Sequence, residues 1–339
     1  MEQNKRNISI QLIRVVATFM IVTDHMFHYC NFPIKSLIIQ VANSGVFIFL
    51  FISGLLFGEK EITNWKQWFL KRGTRILIPF WFFIIVDFIV EDILRSDVTI
   101  KQILAYAFNL QGLFGIRPTT NHLWFLTLLM ICYLITPVLY KLKRMAWTTK
   151  TKVVLIVAFI TAQLLCSYCL SFGLVFGHTV GWCLLAIGFY SLAFFIGDAI
   201  LKKSTNAKGV IITTIVAVVV SCFCLLANKY IDTTKTYDVI SWYGYVLVDF
   251  WIITILYAIG KTQIVSSCEK IIYFLDQISY EFYLVHNFIL MLLLHYLLQY
   301  INMPVYILLA IVLSIIGAII INHITQPAIK IVNKKVIKE

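Results

Sequence analysis

Charge is scarce in this chain. Only 13% of its 339 residues are Asp, Glu, Lys or Arg, about half the share found in a soluble domain. A water-soluble globular fold is therefore excluded. Disorder is excluded as well, since it requires low hydrophobicity and here 60% of the residues are apolar and 15% aromatic. Six prolines and 15 glycines are too few for a collagen-like or linker-rich architecture. Acidic residues are the scarcer sign: 16 against 28 basic ones, a formal net charge of +12. The basic surplus falls in short runs between long apolar stretches, not on one solvated face, so no nucleic-acid partner is expected. With a mean hydropathy of +0.88, the partner these runs point to is the lipid bilayer.

Several chemistries are missing too. The eight cysteines lie mostly inside apolar runs, where cysteine acts as a small hydrophobe, and no disulfide framework is implied. Cys166 and Cys169 form a C-x-x-C, but without a second pair or a nearby histidine cluster, so no metal is expected. There is no Gly-rich phosphate loop, zincin motif or nucleophile elbow. The N-terminal apolar stretch carries Arg14, Asp24 and His25 and lacks a small-residue cleavage site. It reads as a retained first membrane helix, unlike a signal peptide.

What is present is a series of spans. A transmembrane helix needs about 20 mostly apolar residues. Segments near 8–30, 37–58, 74–91, 121–140, 151–172, 178–201, 208–227, 239–260, 278–299 and 303–325 qualify. The expected fold is an all-α polytopic membrane protein of about ten spans, forming a single domain over 1–339. With the N-terminus in the cytoplasm, 21 Lys and Arg fall on the cytoplasmic side and six outside. The positive-inside rule then places both termini in the cytoplasm. Residues 59–74, with Trp65, Trp68 and Phe69 among basic residues, suggest a short helix in the cytoplasmic interface. Residues 91–120 form the longest outer segment.

Ionisable groups inside spans are costly unless paired or hydrated, so each is a functional candidate. Arg14 and His25 are eleven residues apart, which puts them on one helix face, about 16 Å apart along the axis. They either line one path or serve blander ends, Arg14 snorkelling to headgroups and His25 bonding a neighbouring helix. Asp24 and His28 are natural i, i+4 partners. Arg72 and Arg75 share a face where the third span is expected to begin, and a helix N-terminus with two guanidinium groups suits an anion. On pattern alone, plain positive-inside anchoring is the better explanation of the pair. In the ninth span Ser279, Tyr280, Glu281, Tyr283 and His286 follow one another inward, His286 being either a packing residue or a chemical one. Asp87 and Asp249 are candidate partners for buried cations, and Gly45 and Ser53-Gly54 permit close helix approach.

Taken together, these residues resemble the acyltransferase-3 family of integral membrane acyltransferases. The first-helix signature, an arginine, ten residues and a histidine, matches Arg14 to His25. Gly45-Val46 through Ser53-Gly54 match the second-helix pattern. Arg72, Arg75, Ile76, Pro79 and Phe80 match the arginine-rich start of the third helix. Trp124-Phe125, with Tyr133 and Pro137, resembles the Trp-Phe-Leu helix, and Ser279-Tyr280, Tyr283-Leu284 and His286 resemble the terminal element. The SGNH-type esterase domain fused to some members is not expected here.

The resemblance implies a multi-pass protein of the cell membrane that moves an acyl group, most often acetyl, from cytoplasmic acyl-CoA to a hydroxyl of a cell-surface polysaccharide or its lipid-linked precursor. It implies acetyl-CoA as co-substrate, held by Arg14, Arg72 and Arg75. His25 and His286 would be catalytic, with Asp24, Trp124, Ser279, Tyr280 and Tyr283 in support. Polysaccharide-assembly proteins or a homo-oligomer are further partners it allows. Direct transfer, with His25 as general base, and an acyl-histidine route both stay open. The competing class is a transporter or flippase of a glycan or glycolipid precursor.

Overall fold

The structure is a computed structural model that describes residues 7–29, 35–95, 98–114, 117–145, scattered positions from 148 to 165, 178–230, 235–297 and 300–338. Every element in these residues is helical. In chain order they are α1 (Ile8–Tyr29), α2 (Lys35–Ala42), α3 (Ser44–Gly58), α4 (Trp65–Arg95), α5 (Ile100–Ala107) and α6 (Gln111–Phe114). A 3-10 turn (Pro118–Leu123) then leads into α7 (Trp124–Arg144), followed by α8 (His178–Ser204) and α9 (Ala207–Tyr230). The chain closes with α10 (Lys235–Ile259), α11 (Gln263–Ser267), α12 (Glu269–Tyr296) and α13 (Met303–Lys338).

Five stretches among the described residues are long and apolar enough to cross a membrane: Ile8–Tyr29, Trp65–Val90, Pro118–Arg144, Glu269–Leu294 and Met303–Lys335. Four shorter apolar helices lie at Ser44–Gly58, Ala186–Asp198, Ala207–Phe223 and Leu247–Ile259. Lipid contact explains why α4 leaves Ile85, Ile89 and Ile93 at 59%, 55% and 76% exposure. Those three recur every fourth residue on one stripe, a face that water would not tolerate at this size.

Several expected boundaries are corrected. The span expected over 37–58 is broken after Ala42 into α2 and α3. The break falls at Asn43-Ser44-Gly45, residues that compete with or loosen the helical backbone. The short interfacial helix expected over 59–74 is instead the first part of α4, which runs unbroken through Pro79 from Trp65. Lys66, Gln67, Leu70, Lys71 and Arg72 are good helix formers, so helix persists where hydrophobicity stops. At 31 residues α4 is about 46 Å long, well beyond a hydrocarbon core of about 30 Å. The last two helices likewise outrun their expected spans, α12 by starting at Glu269 and α13 by running on to Lys338. The span expected over 151–172, with Cys166 and Cys169, lies largely outside the described residues.

The chain divides into two compact units. The first comprises Met1–Arg14, Val46–Lys60 and Leu128–Glu269, the second Val15–Gly45, Glu61–Thr127 and Lys270–Glu339. In the first, α3 lies hard against α8: a Cβ on Gly54 would collide with the Tyr190 carbonyl. Thr136 and Tyr190 share a hydroxyl–hydroxyl bond of 2.8 Å, and Thr254 donates to Ser204 at 3.2 Å. In the second, α4 packs along α13. The core there joins Val22 and Met26 of α1, Ile278, Phe282, Leu290 and Leu293 of α12, and Tyr306, Ala310 and Ala318 of α13.

Residues 98–127 of the second unit are tied down by buried polar bonds. Thr99 and Gln102 form a capping box at the start of α5. Asn109 takes a left-handed φ of 54°, which asparagine tolerates, and donates from Nδ2 to the Leu126 carbonyl at 3.1 Å. Gln111 donates to the Leu123 carbonyl at 2.9 Å, and Thr127 donates to the Asn109 carbonyl at 2.9 Å. The described residues between α4 and α7 are thus a built scaffold that fixes the 3-10 turn.

Candidate active site

Three imidazoles meet in the second unit. His25 comes from the last third of α1, His122 from the end of the 3-10 turn, and His286 from the middle of α12. Ring centroids are 5.2 Å apart for His25 and His286, 5.9 Å for His25 and His122, and 4.6 Å for His122 and His286. His122 and His286 are almost wholly buried, at 2% and 0% exposure, whereas His25 is partly exposed. His28, exposed at the end of α1, stands 6.5 Å from His25.

Backbone carbonyls orient the two buried rings. His286 Nδ1 bonds the Tyr283 carbonyl at 2.7 Å, and His122 Nε2 bonds the Leu284 carbonyl at 3.0 Å. The Tyr283 hydroxyl donates to the His122 carbonyl at 2.5 Å, and its ring lies 5.1 Å from that of His122. Asn287 pins the 3-10 turn by donating to the carbonyls of Pro118 at 3.1 Å and Thr119 at 2.9 Å. One segment of α12, residues 283–287, therefore holds both itself and the 3-10 turn in place. Two nitrogens, His122 Nδ1 and His286 Nε2, are buried without a hydrogen-bond partner. Among the described residues no group of three or more His, Cys, Asp or Glu is arranged to hold a metal ion.

The other expected site residues are spread over several elements. Asp24 faces His28, with Oδ1 3.8 Å from Nδ1, while His28 Nδ1 also bonds the Asp24 carbonyl at 2.8 Å. Trp124 opens α7, its ring 6.4 Å from that of Phe125, which itself stacks edge-on to Tyr283 at 5.9 Å. Ser279 donates to the Asp276 carbonyl at 2.9 Å and lines a small recess with Val15, Thr18 and Phe19. Tyr280 donates to the Ile76 carbonyl at 2.8 Å, joining α12 to α4. Arg14, half-buried on α1, belongs to the first unit.

Arg72 and Arg75 require a correction. Because α4 begins at Trp65, they lie two to three turns inside the helix, where neither free N–H groups nor the helix dipole act. Any anion they hold is held by their guanidinium groups. Arg72 is half-buried and Arg75 exposed. Arg75 is near enough for its charge to act on Glu281, whose Oε1 accepts from Asn322 at 3.1 Å. Asp87 and Asp249 are both fully buried, Asp87 in the second unit and Asp249 in the first.

His122 and Asn287 were not singled out by the sequence. The signal for His122 was its place in Asn-His-Leu-Trp-Phe, directly before an aromatic pair already noted.

The described elements are all helical, five stretches are long and apolar enough to cross a membrane, and three imidazoles from separate segments meet among them. The model of the acyltransferase-3 family, an acyltransferase domain, matches residues 7–323. The chain belongs to that family and is a membrane acyltransferase. No curated protein matches it, and no solved structure does.

Proposed function

We propose that the protein transfers an acetyl group from cytoplasmic acetyl-CoA to a hydroxyl of a cell-surface polysaccharide or its lipid-linked precursor. It would do so as a protein of about ten spans in the cell membrane, with both termini in the cytoplasm. The observation that carries this reading is the meeting of His25 and His286, whose ring centroids lie 5.2 Å apart. Two imidazoles in a membrane-embedded family of acyltransferases are the groups able to move a proton during acyl transfer.

The steps follow from that placement. Arg72 and Arg75, on the half of α4 that the positive-inside rule assigns to the cytoplasm, hold the phosphates of the donor as bidentate partners. Arg14 is assigned to the donor by the first-helix motif alone. The hydroxyl oxygen attacks the thioester carbon while His25 takes its proton. The carbon–sulfur bond breaks, and the same proton returns to the departing thiolate, giving CoA and the ester. Asp24, Trp124, Ser279, Tyr280 and Tyr283 hold the helices that carry these groups.

The test is to incubate membranes containing the protein with acetyl-labelled acetyl-CoA and total cell glycan. Label in washed glycan and free CoA thiol are then counted together. Equal molar amounts of both, lost in His25→Ala and reduced in Arg72→Lys, are expected. Glycan moved across the membrane unmodified, with no CoA released, would overturn the reading in favour of a transporter.

A further inference from the structure

The two rings beside His25 have no freedom in where they carry their hydrogen. A carbonyl oxygen can only accept, so the ring nitrogen bonded to it must be the N–H. In the neutral form His286 therefore carries hydrogen on Nδ1, toward the Tyr283 carbonyl at 2.7 Å, and Nε2 is a bare lone pair. His122 carries hydrogen on Nε2, toward the Leu284 carbonyl at 3.0 Å, and Nδ1 is the bare one. Both bare nitrogens are buried without a hydrogen-bond partner. Both carbonyls belong to consecutive residues of α12, and the Tyr283 hydroxyl bond to the His122 carbonyl keeps the second ring in register. Neither ring, so fixed, offers an N–H to a developing oxyanion.

We propose that His122 and His286 are positioning residues for His25, two fixed lone pairs beside its ring that accept the hydrogen of its imidazolium as it forms. The inference rests on His25 being the base of the transfer step. When the hydroxyl proton reaches His25, the ring carries two N–H groups, one of which returns its proton to the thiolate. The other needs an acceptor. The rings of His286 and His122, at 5.2 and 5.9 Å, present acceptors with no competing donor. A neutral imidazole lone pair here takes the part that a buried carboxylate takes beside other catalytic histidines. Asp24, the carboxylate next in sequence to His25, is directed to His28 instead.

Asparagine and glutamine separate this role from packing. The amide of asparagine reaches about where Nδ1 lies, and that of glutamine about where Nε2 lies. At position 122 asparagine restores the acceptor, whereas glutamine restores only the tie to Leu284. At 286 the assignments reverse, so that glutamine restores the acceptor and asparagine only the tie to Tyr283. The measurement is turnover of labelled acetyl-CoA onto glycan in membranes matched for protein amount, with KM for the donor.

His122→Gln and His286→Asn are expected to lose kcat by about 100-fold at unchanged donor KM, the scale of a misplaced catalytic group. His122→Asn and His286→Gln are expected to recover most of that loss. If the two substitutions at each site are equally impaired, or equally active, the rings are packing residues and the inference is overturned, while wild-type turnover dependent on His25 leaves the acyl-transfer reading standing. If His25→Ala transfers label as well as the wild type, the reading itself fails and the inference with it.

Discussion

In the first unit, Lys143 donates from its ammonium to the Gly58 carbonyl at 2.8 Å, the Glu59 carboxylate at 3.0 Å and the Phe194 carbonyl at 3.0 Å. An ammonium has three hydrogens to give, and all three are used. In the second unit, His122 and His286 each use one ring nitrogen on a carbonyl and leave the other buried without a partner. A buried acceptor left unmade costs about 1–3 kcal/mol. The two clusters differ in what their polar groups are left to do. The filled cluster holds helices together; the open one is kept for chemistry.

Substitutions on the two sides of this contrast should fail differently. The largest effect is expected from His25→Ala, which should lower transfer about 10²- to 10⁴-fold, the range for loss of a general base. The amount of protein extracted from the membrane and its melting temperature in detergent should not change. Gly54→Ala should do the reverse: a Cβ there meets backbone, which cannot give way as a side chain would. A loss of about 3 kcal/mol is expected, at the upper end for overpacking, read as a lower melting temperature with turnover per folded molecule preserved.

Lys143→Met keeps the aliphatic stem and removes the three donors. It should cost about 2 kcal/mol, because carbonyls at Gly58 and Phe194 lose a charged partner. Turnover per folded molecule should again hold, and a fall in kcat to match that of His25→Ala would erase the contrast. The smallest effect is expected from Tyr280→Phe, which removes one bond to the Ile76 carbonyl at about 1 kcal/mol. That change is measurable as a small melting shift.

The sequence was most informative where one helix carries the whole signal. Arg14, Asp24, His25 and His28 stand out in α1 because ionisable residues in an apolar run are visible without any tertiary knowledge. His286 was visible for the same reason. His122 was not, because it sits where an apolar run begins and reads as an ordinary polar flank. Its meaning comes from its place beside His25 and from contacts with Tyr283, Leu284 and His286, the last three more than 160 positions away. Boundaries failed where hydrophobicity and helicity part company. The start of α4 is polar yet helical, so Arg72 and Arg75 were expected at a helix N-terminus and lie inside the helix instead. The α2–α3 break is apolar on both sides, and only Asn43-Ser44-Gly45 mark it.

The most direct measurement compares label transferred from acetyl-CoA into washed glycan by wild-type, His25→Ala and Lys143→Met membranes, each normalised to folded protein. The account predicts label from the wild type and Lys143→Met and essentially none from His25→Ala. Equal label from His25→Ala and the wild type would contradict it.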